Sequence, residues 1–308
     1  MQPLIIENIE KSFADVQALR GVSLQVEKGR IYGLIGPDGA GKTTLLRIAV
    51  TLLNPDAGTV YFLGKEAGKN MAFVRANIGY MPQRFSLYPD LTVEENLRFF
   101  GDLFDVPFQI QQQRMERLYH FSRLGPFKNR RAAALSGGMK QKLALSCMLM
   151  HEPSVMVMDE PTYGVDPVSR AELWNILKEL AAEGKSILVS TAYMDEAGLC
   201  DRIGLIFKGQ LLASGPPGEL IKILKHPLYL ISAKNVHALY QELLQHFPPE
   251  DCNLFGNGVH LTDRRRLGMP RIEQILSDHN LPYEHLQPIE PDIEDTFLEL
   301  IHQHEANV

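Results

Sequence analysis

The sequence predicts an α/β fold with a helical insert, followed by a small α+β unit, and three observations carry that expectation. Short apolar runs such as 31–35 and 155–159 are bounded by turns and separated by helix-length segments, as in strands buried on both faces. A glycine-rich loop, Gly36-Pro37-Asp38-Gly39-Ala40-Gly41-Lys42-Thr43-Thr44, joins one such run to a helical segment. After Pro216-Pro217-Gly218 the pattern changes to short strands alternating with short helices. The length of 308 residues agrees with roughly two domains.

Taken in order, 4–9 reads as a strand, and Val22, Leu24 and Val26 alternate with polar residues in a second. Lys28-Gly29 turns the chain into the strand 31–35, and Thr44 to Ala49 reads as the helix after the loop. Asn54-Pro55-Asp56-Ala57-Gly58 is a turn, 59–64 a strand, and 78–83 a strand ending in the polar Gln83. From Thr92 the pattern becomes helical, with Glu94 and Glu95 in a first turn; the insert is expected over about 92–150. Its last part opens at Leu135-Ser136-Gly137-Gly138-Met139-Lys140-Gln141, where paired glycines before a helix N-terminus form a second anion-binding candidate. Strand 155–159 ends in two carboxylates, Asp159 and Glu160; 170–183 is an amphipathic helix carrying Trp174 as a packing residue. Strand 186–191 follows, and Lys208-Gly209 turns a hairpin between 202–207 and 210–213. The boundary is expected near 222, with domains 1–222 and 223–308. In the second, strands are expected at 228–231, 259–261 and 283–286 and helices at 236–247, 270–279 and 292–303. Its one charge run, Asp263-Arg264-Arg265-Arg266, reads as a solvated turn.

The composition is that of a globular chain, 45% hydrophobic and 22% charged. A net charge of −6 offers no basic field, so no nucleic-acid partner is expected. Cys147, Cys200 and Cys252 are scattered, without a C-x-x-C pair, which suggests neither zinc nor a disulfide framework and suits a reducing cytosol. The N-terminus lacks the basic flank and apolar run of a signal peptide, and no stretch approaches the roughly 18 apolar residues that span a bilayer. Work on a membrane would therefore go through a partner.

The chemistry is concentrated at the loop. Its pattern, G-x-x-x-x-G-K-[ST], lets the backbone curl so that successive N–H groups face phosphate oxygens, with the following helix offering its N-terminus to the same charge. Lys42 reaches the β- and γ-phosphates and the Thr43 hydroxyl is placed for Mg2+. Phe13, upstream of the loop, reads either as core or as an aromatic stacking on a base.

Phosphate loop, polar strand end, Ser-Gly-Gly loop and a strand ending in two carboxylates, in this order over about the first 220 residues, resemble the ATP-binding cassette (ABC) ATPases. The resemblance implies a P-loop NTPase cassette: a RecA-like core, an antiparallel β subdomain and the helical insert, with the small α+β domain appended. Gly36 to Thr44 is similar to the Walker A loop, binding ATP through Gly36, Asp38, Gly39, Ala40, Gly41, Lys42, Thr43 and Thr44. Gln83 looks like the Q-loop glutamine, and Leu135 to Gln141 like the family signature, with Ser136, Gly137, Gly138 and Gln141 facing the ATP of an opposing cassette. Val155 to Asp159 looks like Walker B, Glu160 like the catalytic glutamate and Gly164-Val165-Asp166 like the D-loop. Phe13 falls where the adenine-stacking aromatic is expected. Thr43, Gln83 and Asp159 are then the Mg2+ set, and Lys42, Gln83 and Glu160 the catalytic set.

Gly79-Tyr80-Met81-Pro82-Gln83, the segment to Leu97 and the tail 293–300 resemble the subgroup serving ABC-2-type exporters. That implies a cytoplasmic subunit, peripheral on the inner face of the membrane, paired head to tail with a second cassette and contacting permease subunits. Phe85, Leu87 and Tyr88 read either as that contact or as internal packing. A soluble non-transport ABC ATPase, or a module that binds nucleotide without hydrolysing it, are the alternatives. Two positions depart from the family: Asp38 stands where Asn is usual, and Ala192 stands at the H-loop histidine, where it cannot donate a hydrogen bond.

Overall fold

A computed structural model describes residues 2–84, 87–256 and 258–306. The chain divides into two compact units, Met1–Pro217 and Gly218–Val308, a break five residues before the boundary expected at 222.

The first unit contains two sheets. A mixed sheet of order β10-β9-β3-β8-β7-β6 is built from β3 (Ile31–Ile35), β6 (Ile78–Met81), β7 (Val155–Asp159), β8 (Ser186–Thr191), β9 (Arg202–Phe207) and β10 (Gln210–Gly215). Neighbours from β9 to β6 run parallel, and β10 closes the edge antiparallel to β9. Every residue of β3, β7 and β8 is buried, as their unbroken apolar runs require once helices cover both faces. An antiparallel sheet of order β2-β1-β4-β5 comprises β1 (Leu4–Phe13), β2 (Val16–Val26), β4 (Ala57–Phe62) and β5 (Lys65–Glu66). Here the alternation in β2 puts Leu19, Val22, Leu24 and Val26 into the core. β1 runs past Ile9 to Phe13, so Lys11-Ser12-Phe13 is strand rather than connection. Asp56 pins that end: it bonds Lys11 Nζ at 2.6 Å and the Ser12 N–H at 2.7 Å.

Helices α1 (Lys42–Ala49) and α2 (Met71–Asn77) lie within this core. The insert follows as α3 (Val93–Leu103), α4 (Phe108–Ser122) and α5 (Gly137–Leu149). Thr92 and Glu95 form a reciprocal capping box at the start of α3, which fixes where the insert begins. Asn96 is fully buried and its amide donates to the Tyr88, Leu91 and Thr92 carbonyls, so segment 88–92 is tied to α3. Helix α6 (Pro167–Ala182) carries Trp174, which is 1% exposed and confirms the packing role read from its amphipathic pattern.

A one-turn helix, α7 (Pro217–Leu220), precedes the second unit's antiparallel sheet. That sheet has the order β12-β13-β11-β14, from β11 (Leu228–Ser232), β12 (Cys252–Phe255), β13 (Gly258–Thr262) and β14 (His285–Ile289). Helices α8 (Val236–Leu243), α9 (Met269–Asp278) and α10 (Ile293–Ala306) complete the unit. β12 is not evident in the sequence pattern, and β14 starts two residues later than the expected strand 283–286 and runs on through Pro288 to Ile289. At a sheet edge Pro288 is tolerated, since its missing N–H can face away from the one neighbour. The run 263–266 is not a solvated turn throughout. Asp263 is 4% exposed and accepts the N–H groups of Leu267 and Gly268, both at 2.9 Å. Arg264 bridges Asp251 and Glu299, leaving Arg265 and Arg266 exposed.

Candidate active site

The loop between β3 and α1 opens onto a cavity of about 460 Å³ lined by Ala18, residues 38–44, Gln83, Arg84, Glu160 and Tyr163. Gly41 has φ 105°, and a Cβ there would meet the Ala18 carbonyl at 2.6 Å. Both the backbone conformation and the close approach therefore require glycine. The first N–H groups of α1 have no partners within the helix and face the loop, which makes this end an anion site. Asp38 is exposed and lines the same cavity, so its charge meets solvent.

Lys42 is 4% exposed, and its ammonium donates to the Gly36 and Pro37 carbonyls at 2.7 and 3.0 Å. It also lies 3.1 Å from Glu160 Oε1, while Gln83 Nε2 donates to Glu160 Oε2 at 2.8 Å. Three residues from three distant stretches of sequence thus meet at one carboxylate. Glu160 itself has φ 49°, in the left-handed region that non-glycine residues avoid.

Asp159, the last residue of β7, is 1% exposed. Its Oδ1 accepts the Ser190 hydroxyl at 2.7 Å, and its Oδ2 is buried without a partner among the described residues. A buried carboxylate with one idle oxygen is a donor suited to a hard cation such as Mg2+ or its water, and the Thr43 hydroxyl in the cavity lining is another of the same kind. Burial pushes the Tyr80 phenol up, and the negative charge of Asp159 adds to that shift.

Of the residues expected to touch nucleotide, 38–44, Gln83 and Glu160 share this cavity, while Gly36 and Asp159 are buried beside it. Phe13 is 47% exposed and absent from the lining, where Ala18 of β2 stands instead. Ser136, Gly137, Gly138 and Gln141 are also outside it. Ser136 caps α5 by accepting the Met139 N–H at 3.3 Å, so its role within this chain is a helix cap. A Cβ on Gly138 would lie 2.3 Å from Ser169 Oγ of α6, so that glycine serves close helix packing. Gly137 and Gln141 line a separate groove with Gln83, Arg84, Leu87, Pro89 and Lys140. Tyr88, 45% exposed, packs against Phe99 with ring centroids 4.4 Å apart; Phe85 lies outside the described residues.

Beyond Glu160, Gly164 takes φ 69° and Asp166 caps α6 by accepting the Ser169 N–H at 2.9 Å. That bond holds the Asp166 carboxyl below its ordinary range. Ala192 follows β8 and is half-buried; the next N–H, of Tyr193, donates to Thr191 Oγ1 at 3.0 Å. Sequence reasoning missed Ala18, Arg84, Tyr163 and Ser190. Arg84 and Tyr163 had a signal, each lying within three residues of a motif residue, whereas Ser190 is placed by strand order alone.

The ABC transporter family profile matches residues 19–163. The probable multidrug ABC transporter ATP-binding protein YbhF of Escherichia coli (strain K12) is 40% identical over 302 residues, covering 97% of this chain and 52% of that protein. The chain thus spans about half the length of that relative. Nod factor export ATP-binding protein I of Burkholderia lata is 41% identical over 221 residues, 71% of this chain and 73% of that protein. Among solved structures, the ADP conformation of an ATP-binding cassette of an ABC transporter superposes with TM-score 0.64 at 31% identity, covering 73% of this chain and 94% of that one. A dimeric cassette in a post-hydrolysis state, bound to ADP and Pi, gives TM-score 0.63 at 26% identity over 69% of this chain and 98% of that one. With the phosphate loop, the carboxylate pair and the cassette fold all in place, the chain belongs to the ATP-binding cassette family of ABC transporter ATPases.

Proposed function

We propose that this chain is the ATP-hydrolysing subunit of an ABC-2-type exporter, working in a head-to-tail pair of cassettes beneath membrane permease subunits. The observation that carries the reading is the contact of Lys42 and Gln83 with Glu160 at the mouth of the phosphate loop. In this reading the loop N–H groups and Lys42 hold the β- and γ-phosphates of ATP. Thr43, Gln83 and Asp159 are the groups that would hold Mg2+, which neutralises phosphate charge when bound. Glu160 accepts the proton of a water whose oxygen attacks the γ-phosphorus, while the bond to the β–γ bridging oxygen breaks and ADP leaves.

Ser136, Gly137, Gly138 and Gln141 act on the ATP of the opposing cassette, and their position outside this chain's own cavity supports that division. Phe13, exposed at the end of β1, would stack on adenine. The Leu87 and Pro89 side of the groove lined by Gln141 faces the permease in this reading, and Tyr88, between those two residues, contributes an exposed ring. Export as the task is supported by the relatives' names, multidrug transport and Nod factor export. No helix among the described residues is long and apolar enough to cross a membrane, and the translocation path is assigned to partner chains, with this chain peripheral on the cytoplasmic face.

Ala192 makes this a slow site, whose chief contribution is a signature loop lent to a histidine-bearing partner cassette. The test measures ATP turnover by the pure chain, alone and mixed with such a cassette. Low activity alone, a rise on mixing, and loss of the mixed activity in Ser136→Arg are expected. Robust, concentration-dependent hydrolysis by the chain alone that Ala192→His leaves unchanged would overturn the slow-site assignment. Tight binding to lipid vesicles without any permease would overturn the peripheral one.

A further inference from the structure

We infer that Ser190 is a positioning residue for ATP hydrolysis, its hydroxyl setting the metal-binding carboxylate of Asp159 and the main chain of Glu160 together. This rests on the roles proposed above for those two residues.

The inference begins with strand order. β7 and β8 are parallel neighbours, in a register that pairs Asp159 with Ser190. Thirty-one residues of chain separate them, so the contact is a product of the sheet. Ser190 is fully buried. Its hydroxyl donates to Asp159 Oδ1 at 2.7 Å, and the same oxygen accepts the Glu160 N–H at 3.0 Å. A serine hydroxyl has one proton and two lone pairs, so it can do both at once. The Ser190 carbonyl takes a second share of the Glu160 N–H at 3.1 Å.

Each bond has a consequence for the site. Fixing Oδ1 removes the carboxylate's freedom to rotate and leaves Oδ2, buried and without a partner among the described residues, as the oxygen available to a cation. Anchoring the Glu160 N–H holds a residue at φ 49°, a conformation it would otherwise leave, and so aims its side chain at Lys42 and Gln83. Alanine at 190 would keep the carbonyl share of the second bond and lose the first outright. Threonine would keep the hydroxyl in a strand that favours β-branched residues. The two substitutions therefore separate positioning from packing.

The test uses the full chain and three variants, Ser190→Ala, Ser190→Thr and Asp159→Asn. A fluorescent ATP analogue is titrated in EDTA and at graded Mg2+, and Mn2+ bound with ADP is followed by its electron paramagnetic resonance. In Ser190→Ala, metal-free nucleotide affinity should match wild type, while the Mg2+ or Mn2+ needed for half-saturation rises on the order of 10-fold or more. Ser190→Thr should return it to near the wild-type value. Wild-type metal dependence in Ser190→Ala overturns the inference. So does an equal loss with and without metal in both Ser190 variants, which makes Ser190 a packing residue. If Asp159→Asn also keeps its metal dependence, the role proposed for Asp159 falls too. If Asp159→Asn loses that dependence while Ser190→Ala keeps it, only the role of Ser190 falls.

Discussion

Glu160 competes with nucleotide for Lys42, so removing its charge should tighten ADP binding. The two charged groups are 3.1 Å apart, with side chains 4% and 8% exposed. Opposite unit charges at such a separation attract by ~5 kcal/mol at an effective dielectric of about 20. Most of that is offset when phosphate enters, because Lys42 exchanges one anion for another and both groups had been desolvated to make the pair. Gln83 still satisfies one Glu160 oxygen, and the Gly36 and Pro37 carbonyls still hold the ammonium. A residual penalty of about 1–2 kcal/mol corresponds to roughly 10-fold in Kd. The perturbation is Glu160→Gln, which keeps the shape and removes the charge. ADP is the ligand, so that the titration is free of turnover. Isothermal titration of the purified chain should show ADP binding about 10-fold tighter than wild type, and Glu160→Ala should change it in the same direction. Equal or weaker ADP binding by Glu160→Gln would mean that the ion pair does not oppose nucleotide entry.

Asp38→Asn should strengthen ATP binding a few-fold at low salt, with the gain shrinking at high salt, because the exposed carboxylate repels phosphate through solvent. A salt-independent gain in the same titration would point to a rearranged loop instead. Arg264→Ala should destabilise the second unit by about 3–5 kcal/mol, since Asp251 and Glu299, with side chains 5% and 7% exposed, lose their shared cation. Urea unfolding followed by circular dichroism measures this, and an unchanged midpoint would refute it. The three cysteines are free and buried, and burial pushes all their thiols up, that of Cys252 to about 12 with help from nearby Asp251. The native chain should therefore resist a thiol reagent at pH 8 and release all three thiols only on denaturation. Rapid native labelling of any one contradicts the packing described.

The phosphate loop was legible because its chemistry is local: adjacent residues supply the curl, the ammonium and the hydroxyl. Apolar runs marked β3, β7 and β8 for the same reason, since burial on both faces leaves its imprint on each residue in turn. Ser190 was not legible as a site residue. It is one of three polar positions in β8, and its meaning comes from its pairing with Asp159 of β7, 31 positions away in the chain. The ion pairs of Arg264 were hidden in the same way, because their partners are 13 and 35 residues distant. The end of β1 shifted because cross-strand pinning by Asp56 holds Lys11 and Ser12 in the sheet, while the Asn235 cap starts α8 where the sequence placed it.

The left-handed backbone at Glu160 has an evolutionary consequence. A non-glycine residue in that region costs roughly 1–2 kcal/mol, which glycine would recover and asparagine would in part. A library of this protein selected only for surviving heat would weigh that recovery against a buried Lys42 left without its carboxylate, and under the role proposed for Glu160 any chain with glycine there would bind ATP and turn none over. Under that role, selection for turnover adds to the ion pair with Lys42 in keeping glutamate there. The residue that occupies position 160 in any laboratory-evolved descendant is thus a record of which pressure it met.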